Sequence, residues 1–175
     1  MSSHPERYTL FTREQIESAV NRLATEITRD YRDKNPVLIG ILKGVFIFMA
    51  DLVRSMDFPL EVEFTRLSSY GAGKQTSGKV KIVQELSCPV KDRHVLVVED
   101  IIDTGITVAF LLDYLEKKKP ASLKLCALLD KPSRRRKSVK IDYLGLTVPD
   151  KFLVGYGLDC DEQYRNLPDI YYLEE

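Results

Sequence analysis

Two continuous apolar runs, each about as long as one strand, constrain the fold more than any other feature of the sequence. They occupy residues 36–42 (PVLIGIL) and 94–98 (HVLVV), and a segment with helical periodicity follows each of them. A strand that is apolar throughout is covered on both faces, as in a parallel sheet. Strands that alternate with helices predict such a sheet between two helical layers. The expected fold class is therefore α/β, with a mainly parallel central sheet flanked by helices.

The first helix is predicted from its start signal and its apolar spacing. Thr12 and Gln15 match a capping box, and apolar side chains recur at helical spacing from there to Tyr31. A second helix is expected at 45–54, directly after the first apolar run. Helices are therefore expected on both sides of the first buried strand in the sequence.

The second apolar run leads into a helix that we expect to begin near Thr104. Lysines 117–119 are expected in its last turn, where they complement the helix dipole, and Pro120 ends it. Residues 68–79 contain three glycines and no large aliphatic side chain, which predicts a long loop. Further strands are expected at 61–67, 80–86, 123–129, 141–148, 152–155 and 170–173.

Length and hydropathy favour one soluble domain. The chain has 175 residues, which predicts a single domain over residues 1–175. The most apolar stretch, 37–50, contains Lys43 and is shorter than the roughly 18 residues that a membrane-spanning helix needs. Residues 1–7 are polar and lack the apolar core of a signal peptide. No membrane partner is expected.

Charge and cysteine content argue against other classes. The 26 basic and 26 acidic residues give a formal net charge of zero, whereas a general nucleic-acid binder carries a basic excess. Cys88, Cys126 and Cys160 are odd in number and never form a CxxC pair, which argues against a disulfide framework and a cysteine-rich zinc site. We therefore expect a reducing, cytoplasmic compartment and no nucleic-acid partner.

The most informative segment for function is 95–107 (VLVVEDIIDTGIT). Its buried strand delivers three acids, Glu99, Asp100 and Asp103, at the sheet edge where open α/β folds bind ligands. Their oxygens suit sugar hydroxyls or a metal ion. The segment therefore predicts a ligand site at this edge.

The residues after the acids turn directly into a helix. Backbone N–H groups and the hydroxyls of Thr104 and Thr107 would face outward at the positive end of the helix dipole, which suits a phosphate. Alternatively, Asp103 or Thr104 only caps the helix while the acid pair is solvated. A strand, paired acids and a D-T-G-x-T turn in this order are more specific than an isolated D-T-G, and they favour a sugar-phosphate site.

This segment resembles the phosphoribosyl-pyrophosphate-binding signature of the type I phosphoribosyltransferases. Residues 97–105 (VVEDIIDTG) resemble the 6-oxopurine branch, and the similarity runs from Leu42 to about Arg165 in the right order. The resemblance implies the fold of that family, with a small hood region formed by the N-terminal and C-terminal segments. It also implies Mg²⁺-dependent transfer of a 5-phosphoribosyl group to N9 of hypoxanthine or guanine in purine salvage, by a homodimer or homotetramer.

The resemblance assigns roles to the signature residues. Glu99 and Asp100 would hold the ribose hydroxyls, directly or through Mg²⁺, and Asp159 would help to hold the metal. Asp103 would act as the catalytic base or proton acceptor at the purine N7. The 5′-phosphate would be bound by Thr104, Gly105, Ile106 and Thr107. Ile106 stands where many members carry a polar or aromatic residue, a departure of little consequence if the backbone N–H binds the phosphate.

Residues before and after the signature resemble the pyrophosphate and lid elements of the family. Lys43 and Gly44 follow the first buried strand and resemble the pyrophosphate loop, which in some members has a non-proline cis peptide before the lysine. Arg165 would also contact pyrophosphate. Ser69 and Tyr70 resemble the catalytic lid, whose closure would exclude water. Alternatively, Lys43 lies in solvent on an ordinary strand-to-helix turn.

The purine would be selected by Lys131 and by a segment near the C-terminus. An ammonium group only donates hydrogen bonds, so Lys131 would favour a 6-oxo acceptor over a 6-amino donor. Phe152 would stack on the base, the Leu153 carbonyl would accept from its edge, and Asp159 would lie beside it. Alternatively, Lys131 is a surface lysine, Phe152 packs in the core and Asp159 is a turn residue. The basic run 134–137 is interpreted as a solvated turn.

Other functions are less consistent with the sequence. Residues 73–79 match the first seven positions of a P-loop, but Val80 replaces the required hydroxyl residue and a strand follows, so we reject nucleotide triphosphate hydrolysis. Regulators that share this fold and bind RNA are a second hypothesis, against which the lack of a basic surplus argues. Xanthine remains an open substrate, and Lys131 disfavours adenine and orotate.

Overall fold

The computed structural model describes residues 6–70 and 79–174 of the chain. Within these ranges the chain forms a six-stranded sheet, a three-stranded sheet and three α-helices. The elements follow one another as β1 (Arg7–Phe11), α1 (Arg13–Tyr31), β2 (Val37–Leu42), α2 (Phe46–Arg54), β3 (Glu61–Tyr70), β4 (Lys79–Gln84), β5 (His94–Ile102), α3 (Ile106–Glu116), β6 (Ser122–Asp130), a short 3-10 helix (Pro132–Arg134), β7 (Tyr143–Thr147), β8 (Phe152–Val154) and β9 (Ile170–Leu173).

The six-stranded sheet is mainly parallel, as predicted. Its strand order is β4-β3-β2-β5-β6-β7, and β4 alone runs antiparallel to its neighbour. The carboxyl ends of β2, β5 and β6 therefore lie side by side at one edge. This is the edge at which open α/β sheets bind ligands.

Helices cover both faces of this sheet. Leu96 and Val98 of β5 pack in the core beneath α1 and α2, whereas Val95 and Val97 pack in the core beneath α3. Both faces of the strand are buried here, which is why residues 95–98 are apolar without interruption. The α/β fold class predicted from the two apolar runs is thus confirmed.

The start of α1 is predicted correctly, but the bounds of α3 are not. Thr12 Oγ1 accepts from the Gln15 N–H at 3.4 Å and the Gln15 side chain accepts from the Thr12 N–H at 2.9 Å, which completes the capping box. α3 begins later than Thr104 because Gly105 has a left-handed φ of 80° and precedes the helix. Lysines 117–119 lie beyond the last residue of α3, so the prediction that they occupy its last turn is wrong.

β3 and β4 extend into the segment that was predicted to be a loop. β3 continues to Tyr70 and pairs with β4 from Lys79 onward. The loop prediction is therefore wrong for residues 68–70 and for Lys79, and residues 71–78 lie outside the described ranges. Pairing with a neighbouring strand satisfies backbone N–H and C=O groups here, and local composition does not reveal that pairing.

β5 also extends further than predicted, which changes the setting of two candidate acids. The strand continues to Ile102 beside β6, so Glu99 and Asp100 lie within it instead of after it. Their backbones are held by the sheet, and both residues are buried. The acid pair is therefore fixed by the rigid part of the fold.

The chain ends combine in the smaller sheet. β1, β9 and β8 pair antiparallel in that order, which joins residues 7–11 to residues 170–173. Within the described part of the chain, none of the helices has the length and apolar character needed to span a bilayer.

Candidate active site

A cavity of about 860 Å³ lies at the carboxyl ends of β2, β5 and β6, and residues of β8 and β9 form its other side. Its lining includes nine predicted site residues: Lys43, Gly44, Asp100, Asp103, Lys131, Phe152, Leu153, Asp159 and Arg165. A smaller cavity of about 270 Å³ shares part of this lining and adds Glu99, Thr104, Gly105 and Thr107. The structure therefore brings most of the predicted residues together.

The remaining predicted residues are Ile106, Ser69 and Tyr70. Ile106 is the first residue of α3, and its side chain lines neither cavity. Ser69 and Tyr70 end β3, where they pair with Val80 and Lys79 of β4. The proposed lid role of Ser69 and Tyr70 thus remains a prediction.

Glu99 and Asp100 form a buried acidic pair. Their exposed fractions are 7% and 9%. The Asp100 N–H donates to Glu99 Oε1 at 3.3 Å, and the Ile101 N–H donates to Asp100 Oδ1 at 2.7 Å. Burial raises the pKa of both carboxyl groups, and the neighbouring Asp100 charge raises the pKa of Glu99 further. A cation or hydroxyl donors brought to this pair would favour its ionised form.

Gly44 lies directly against this acidic pair. The peptide bond between Leu42 and Lys43 is cis, as in some members of the family that the sequence resembles. A Cβ on Gly44 would overlap Asp100 Oδ2, and a Cβ on Gly157 would overlap the Gly44 carbonyl oxygen. Only glycine fits at position 44 while Asp100 keeps its place.

Lys43 and Arg165 converge on one carboxylate. Glu162 Oε2 lies 2.9 Å from Lys43 Nζ and 3.3 Å from Arg165 Nη2. Arg165 Nη2 also lies 3.0 Å from Asp159 Oδ1, and Arg165 Nη1 donates to the Gly157 carbonyl at 2.8 Å. Lys43 and then Arg165 lower the pKa of Glu162. Two cations are thus held beside the acidic pair.

The start of α3 offers backbone donors beside these cations. Thr104 Oγ1 accepts from the Ile106 N–H at 3.4 Å. Gly105 caps the helix without a side-chain hydrogen bond. Thr104 and Thr107 line the smaller cavity. Free N–H groups and hydroxyls at the positive end of a helix can bind a phosphate, so this turn suits a phosphate although Thr104 also caps the helix.

Asp103 lines both cavities. Among the described residues its Oδ1 is buried without a hydrogen-bond partner. Its Oδ2 lies 3.8 Å from Arg134 Nη1. A buried carboxylate oxygen without a donor is costly, so a ligand N–H at this place would satisfy it.

The opposite end of the cavity combines a buried ammonium group with an exposed ring. Lys131 is 6% exposed and its Nζ donates to the Lys151 carbonyl at 2.8 Å, so it is not a surface lysine. Phe152 is 54% exposed although it lines the cavity, whereas Leu153 is buried. Phe152 is therefore not a core aromatic, and its face is available to a planar ligand.

Comparison with known proteins decides the family. A family model described as the phosphoribosyl transferase domain matches residues 8–161. The chain belongs to the phosphoribosyltransferase family. It is 45% identical over 170 residues to the hypoxanthine-guanine phosphoribosyltransferase of Bacillus subtilis, covering 97% of this chain and 94% of the relative. It is 49% identical over 167 residues to that of Aquifex aeolicus, covering 95% and 94%.

Solved phosphoribosyltransferase structures share the fold. A hypoxanthine phosphoribosyltransferase from Staphylococcus aureus superposes with a TM-score of 0.92 at 41% identity, covering 95% of this chain and 91% of that one. A hypoxanthine-guanine phosphoribosyltransferase from Bacillus anthracis gives 0.92 at 43% identity, covering 98% and 100%. The type I phosphoribosyltransferase fold expected from the sequence is confirmed.

Charged residues that sequence reasoning missed complete this phosphoribosyltransferase site. Arg135 forms an ion pair with Asp130 and donates from Nε to the Asp103 carbonyl at 3.1 Å. Arg134 Nε lies 3.1 Å from Asp150 Oδ1. The prediction of a solvated turn at 134–137 is therefore wrong for Arg135, whose side chain is 19% exposed. Arg134 and Arg135 come shortly after a strand that ends at the site, and this position is the sequence signal that could have indicated their contacts.

Replacing Arg135 with alanine should destabilise the protein. Asp130, whose side chain is 14% exposed, would lose its partner, and the Asp103 carbonyl would lose a donor. We expect the free energy of unfolding in urea to fall by about 2–3 kcal/mol. Arg136 is the exposed neighbour of Arg135 in the sequence and makes no ion pair within the described residues. Arg136→Ala should change the free energy of unfolding by less than about 0.5 kcal/mol. Equal effects of the two substitutions would contradict this role.

Proposed function

We propose that this protein transfers the 5-phosphoribosyl group of phosphoribosyl pyrophosphate to N9 of hypoxanthine or guanine. The products would be IMP or GMP and pyrophosphate, a purine-salvage reaction. One observation carries the proposal: a single cavity is lined by the buried Lys131, the exposed Phe152, Lys43 and the buried Asp100. Glu99 lines the smaller cavity, which shares Lys43 and Asp100 with the larger one. This arrangement suits a purine base bound beside phosphoribosyl pyrophosphate.

The sugar and its phosphate would lie along the signature segment. Glu99 and Asp100 would accept hydrogen bonds from the ribose hydroxyls. The hydroxyls of Thr104 and Thr107 and the backbone N–H groups of residues 104–107 would bind the 5′-phosphate. The negative charge of the acidic pair would also stabilise the positive charge that develops at C1′ as the bond to pyrophosphate breaks.

The acidic pair also fits a divalent metal. Enzymes of this group use a divalent metal with phosphoribosyl pyrophosphate, and we propose Mg²⁺ here. Within the described residues no three Asp, Glu, His or Cys side chains converge to hold an ion by themselves. Mg²⁺ commonly binds through one or two carboxylates together with substrate phosphates, which suits Glu99 and Asp100. Bound there, the ion would neutralise charge on the leaving pyrophosphate.

Asp159 is the weaker of the proposed metal ligands. Its Oδ1 is paired with Arg165, and its Oδ2 accepts from the Glu162 N–H at 2.9 Å. To bind a metal, the carboxylate of Asp159 would have to share these contacts. Its contact with Arg165 supports a second role, in which it orients the guanidinium toward pyrophosphate.

Asp103 would take up the proton that the base loses. As N9 attacks C1′, the bond from C1′ to the pyrophosphate oxygen breaks and its electrons leave with pyrophosphate. The purine bound with a proton on N7 must release it, and the carboxylate of Asp103, which lines the cavity, would accept it. The nucleotide product is then neutral at its imidazole ring.

The base would be selected by hydrogen bonding and stacking. The ammonium of Lys131 can only donate, so it would bind a 6-oxo group and leave a 6-amino group unpaired. Phe152 would stack on the ring, and the Leu153 carbonyl would accept from the purine edge. Lys43 and Arg165 would bind the pyrophosphate.

We propose one catalytic domain over residues 1–175, cytoplasmic in location and a homodimer or homotetramer. The sheet of β1, β8 and β9 supports a hood built from both chain ends, because it lines the cavity opposite the main sheet. Ser69 and Tyr70 would belong to the lid that excludes water.

An ultraviolet assay of each purine tests the proposed reaction. Hypoxanthine, guanine, xanthine and adenine would each be mixed with phosphoribosyl pyrophosphate, with Mg²⁺ or with a chelator. We expect Mg²⁺-dependent turnover of hypoxanthine or guanine, and adenine turnover at least about 10²-fold lower because Lys131 would face an unpaired donor. Absence of turnover with every base, together with sequence-specific RNA binding in a gel shift at physiological salt, would favour a regulator instead.

A further inference from the structure

One oxygen of Glu162 contacts both cations that we assign to pyrophosphate. Glu162 Oε2 lies 2.9 Å from Lys43 Nζ and 3.3 Å from Arg165 Nη2. A diphosphate oxygen bound between these two cations would need the same place. The contact is therefore one that a diphosphate has to displace.

The backbone around Glu162 does not favour a glutamate. Cys160 and Gln163 exchange two backbone hydrogen bonds of 3.2 and 3.0 Å across Asp161 and Glu162. Both central residues have left-handed φ angles, 50° and 63°, as in a type I′ turn, where Asp-Gly is a preferred pair. Asp161 fits this preference, but Glu162 stands where glycine is favoured. The backbone conformation therefore gives no reason for a glutamate at position 162. The contacts of its carboxylate with Lys43 and Arg165 do give one.

We propose that Glu162 is an intramolecular competitor of pyrophosphate. Its carboxylate holds Lys43 and Arg165 until a diphosphate takes its place, and it returns to them as the product leaves. This inference rests on the proposed function, because it takes the two cations as the pyrophosphate contacts. Under this proposal Glu162, which lies outside the signature segment 95–107, affects both substrate binding and product release.

The exposure of the contact is consistent with exchange. The side chains of Lys43 and Glu162 are 46% and 64% exposed, so water screens their attraction and the ion pair is weak. A diphosphate brings more negative charge and more acceptor oxygens than one carboxylate. It displaces Glu162 readily, while the carboxylate lowers the net affinity and keeps the cations in position.

Two substitutions at Glu162 and one at its neighbour test the proposal. Glu162→Gln removes the charge with little change of shape, and Glu162→Gly also relieves the left-handed backbone. Asp161→Asn removes the same charge one residue away, and Asp161 makes no ion pair within the described residues. The measurements are titration calorimetry of Mg²⁺-pyrophosphate with each full-length variant, inhibition by pyrophosphate, and KM for both substrates.

We expect both Glu162 variants to bind pyrophosphate about three- to fivefold more tightly. Their KM for phosphoribosyl pyrophosphate should fall by a similar factor, while KM for hypoxanthine stays unchanged. Glu162→Gly should unfold at the same temperature as the wild type or higher, which separates binding from stability. Asp161→Asn should change pyrophosphate affinity by less than about twofold.

Three outcomes would overturn the proposal. Unchanged or weaker pyrophosphate binding by Glu162→Gln would mean that Glu162 orients the cations and does not compete. If Asp161→Asn tightens pyrophosphate binding as much as Glu162→Gln does, the loss of one nearby negative charge explains the change in affinity. If the wild type neither binds pyrophosphate nor transfers phosphoribosyl groups, the proposed function itself is wrong. The purine assay identifies that case.

Discussion

Asp103→Asn should lower turnover about 10²–10⁴-fold, the usual contribution of a positioned proton acceptor. The substituted amide keeps the shape of the side chain but cannot accept a proton at the pH of the assay. Asp103 Oδ1 is buried and unpartnered among the described residues, and Oδ2 makes a long contact of 3.8 Å with Arg134 Nη1. The measurement is kcat with saturating hypoxanthine and phosphoribosyl pyrophosphate.

Asp150→Asn is a matched control for this substitution. Asp103 and Asp150 line the same cavity, and both lie near the Arg134 guanidinium, Asp150 at 3.1 Å and Asp103 at 3.8 Å. Each variant removes one negative charge beside the same arginine. Asp150→Asn should retain turnover within about threefold of the wild type, because the pair that its exposed carboxylate forms with Arg134 is weak. If Asp103→Asn keeps near wild-type turnover, its assigned proton-transfer role is wrong.

The buried half of the fold could be predicted because its sequence signal is local. β2 and residues 95–98 of β5 are continuous apolar runs, and the capping box of Thr12 and Gln15 marks the start of α1. The acids and the D-T-G-x-T turn are contiguous, so the segment from Glu99 to Thr107 could be predicted to be a ligand site before any tertiary contact was known. Each of these features depends on residues close together in the chain.

The missed features depend on contacts between distant residues. The polar segment 68–70 forms a strand only because β4 pairs with it. Lys43 and Glu162 are separated by 119 positions, and no local pattern indicates that their side chains meet. The buried ion pair of Asp130 and Arg135 was likewise hidden in a basic run that is typical of a solvated turn.

Glu162 itself stands in conflict with its local backbone conformation. A hairpin turn with a glutamate at its second central position departs from the glycine preference of that position. Such conflicts between local preference and sequence tend to occur at functional sites. Recognising the conflict required knowing that residues 160–163 form a turn, which the pairing of Cys160 with Gln163 shows.

Gly44→Ala should lower kcat/KM by about 10²-fold or more while the protein still folds. The φ of Gly44 is not in the left-handed region, so alanine is compatible with the backbone. Its Cβ would overlap Asp100 Oδ2, and either the buried carboxylate or the loop that carries Lys43 would have to move. A displacement of about 1 Å at reacting groups costs about this factor.

Gly40→Ala, on the strand that precedes Gly44, separates this effect from ordinary crowding. The Cβ of an alanine at position 40 would lie 3.0 Å from Met49 Cε and 3.0 Å from ring atoms of Phe64. These side chains can shift, so we expect a loss of about 1–2 kcal/mol in stability and nearly unchanged kcat/KM of the folded enzyme. Gly44→Ala should show the reverse, with activity falling far more than the urea midpoint. If Gly44→Ala remains fully active, the close contact of the Lys43–Gly44 loop with Asp100 is not what aligns pyrophosphate with the acidic pair.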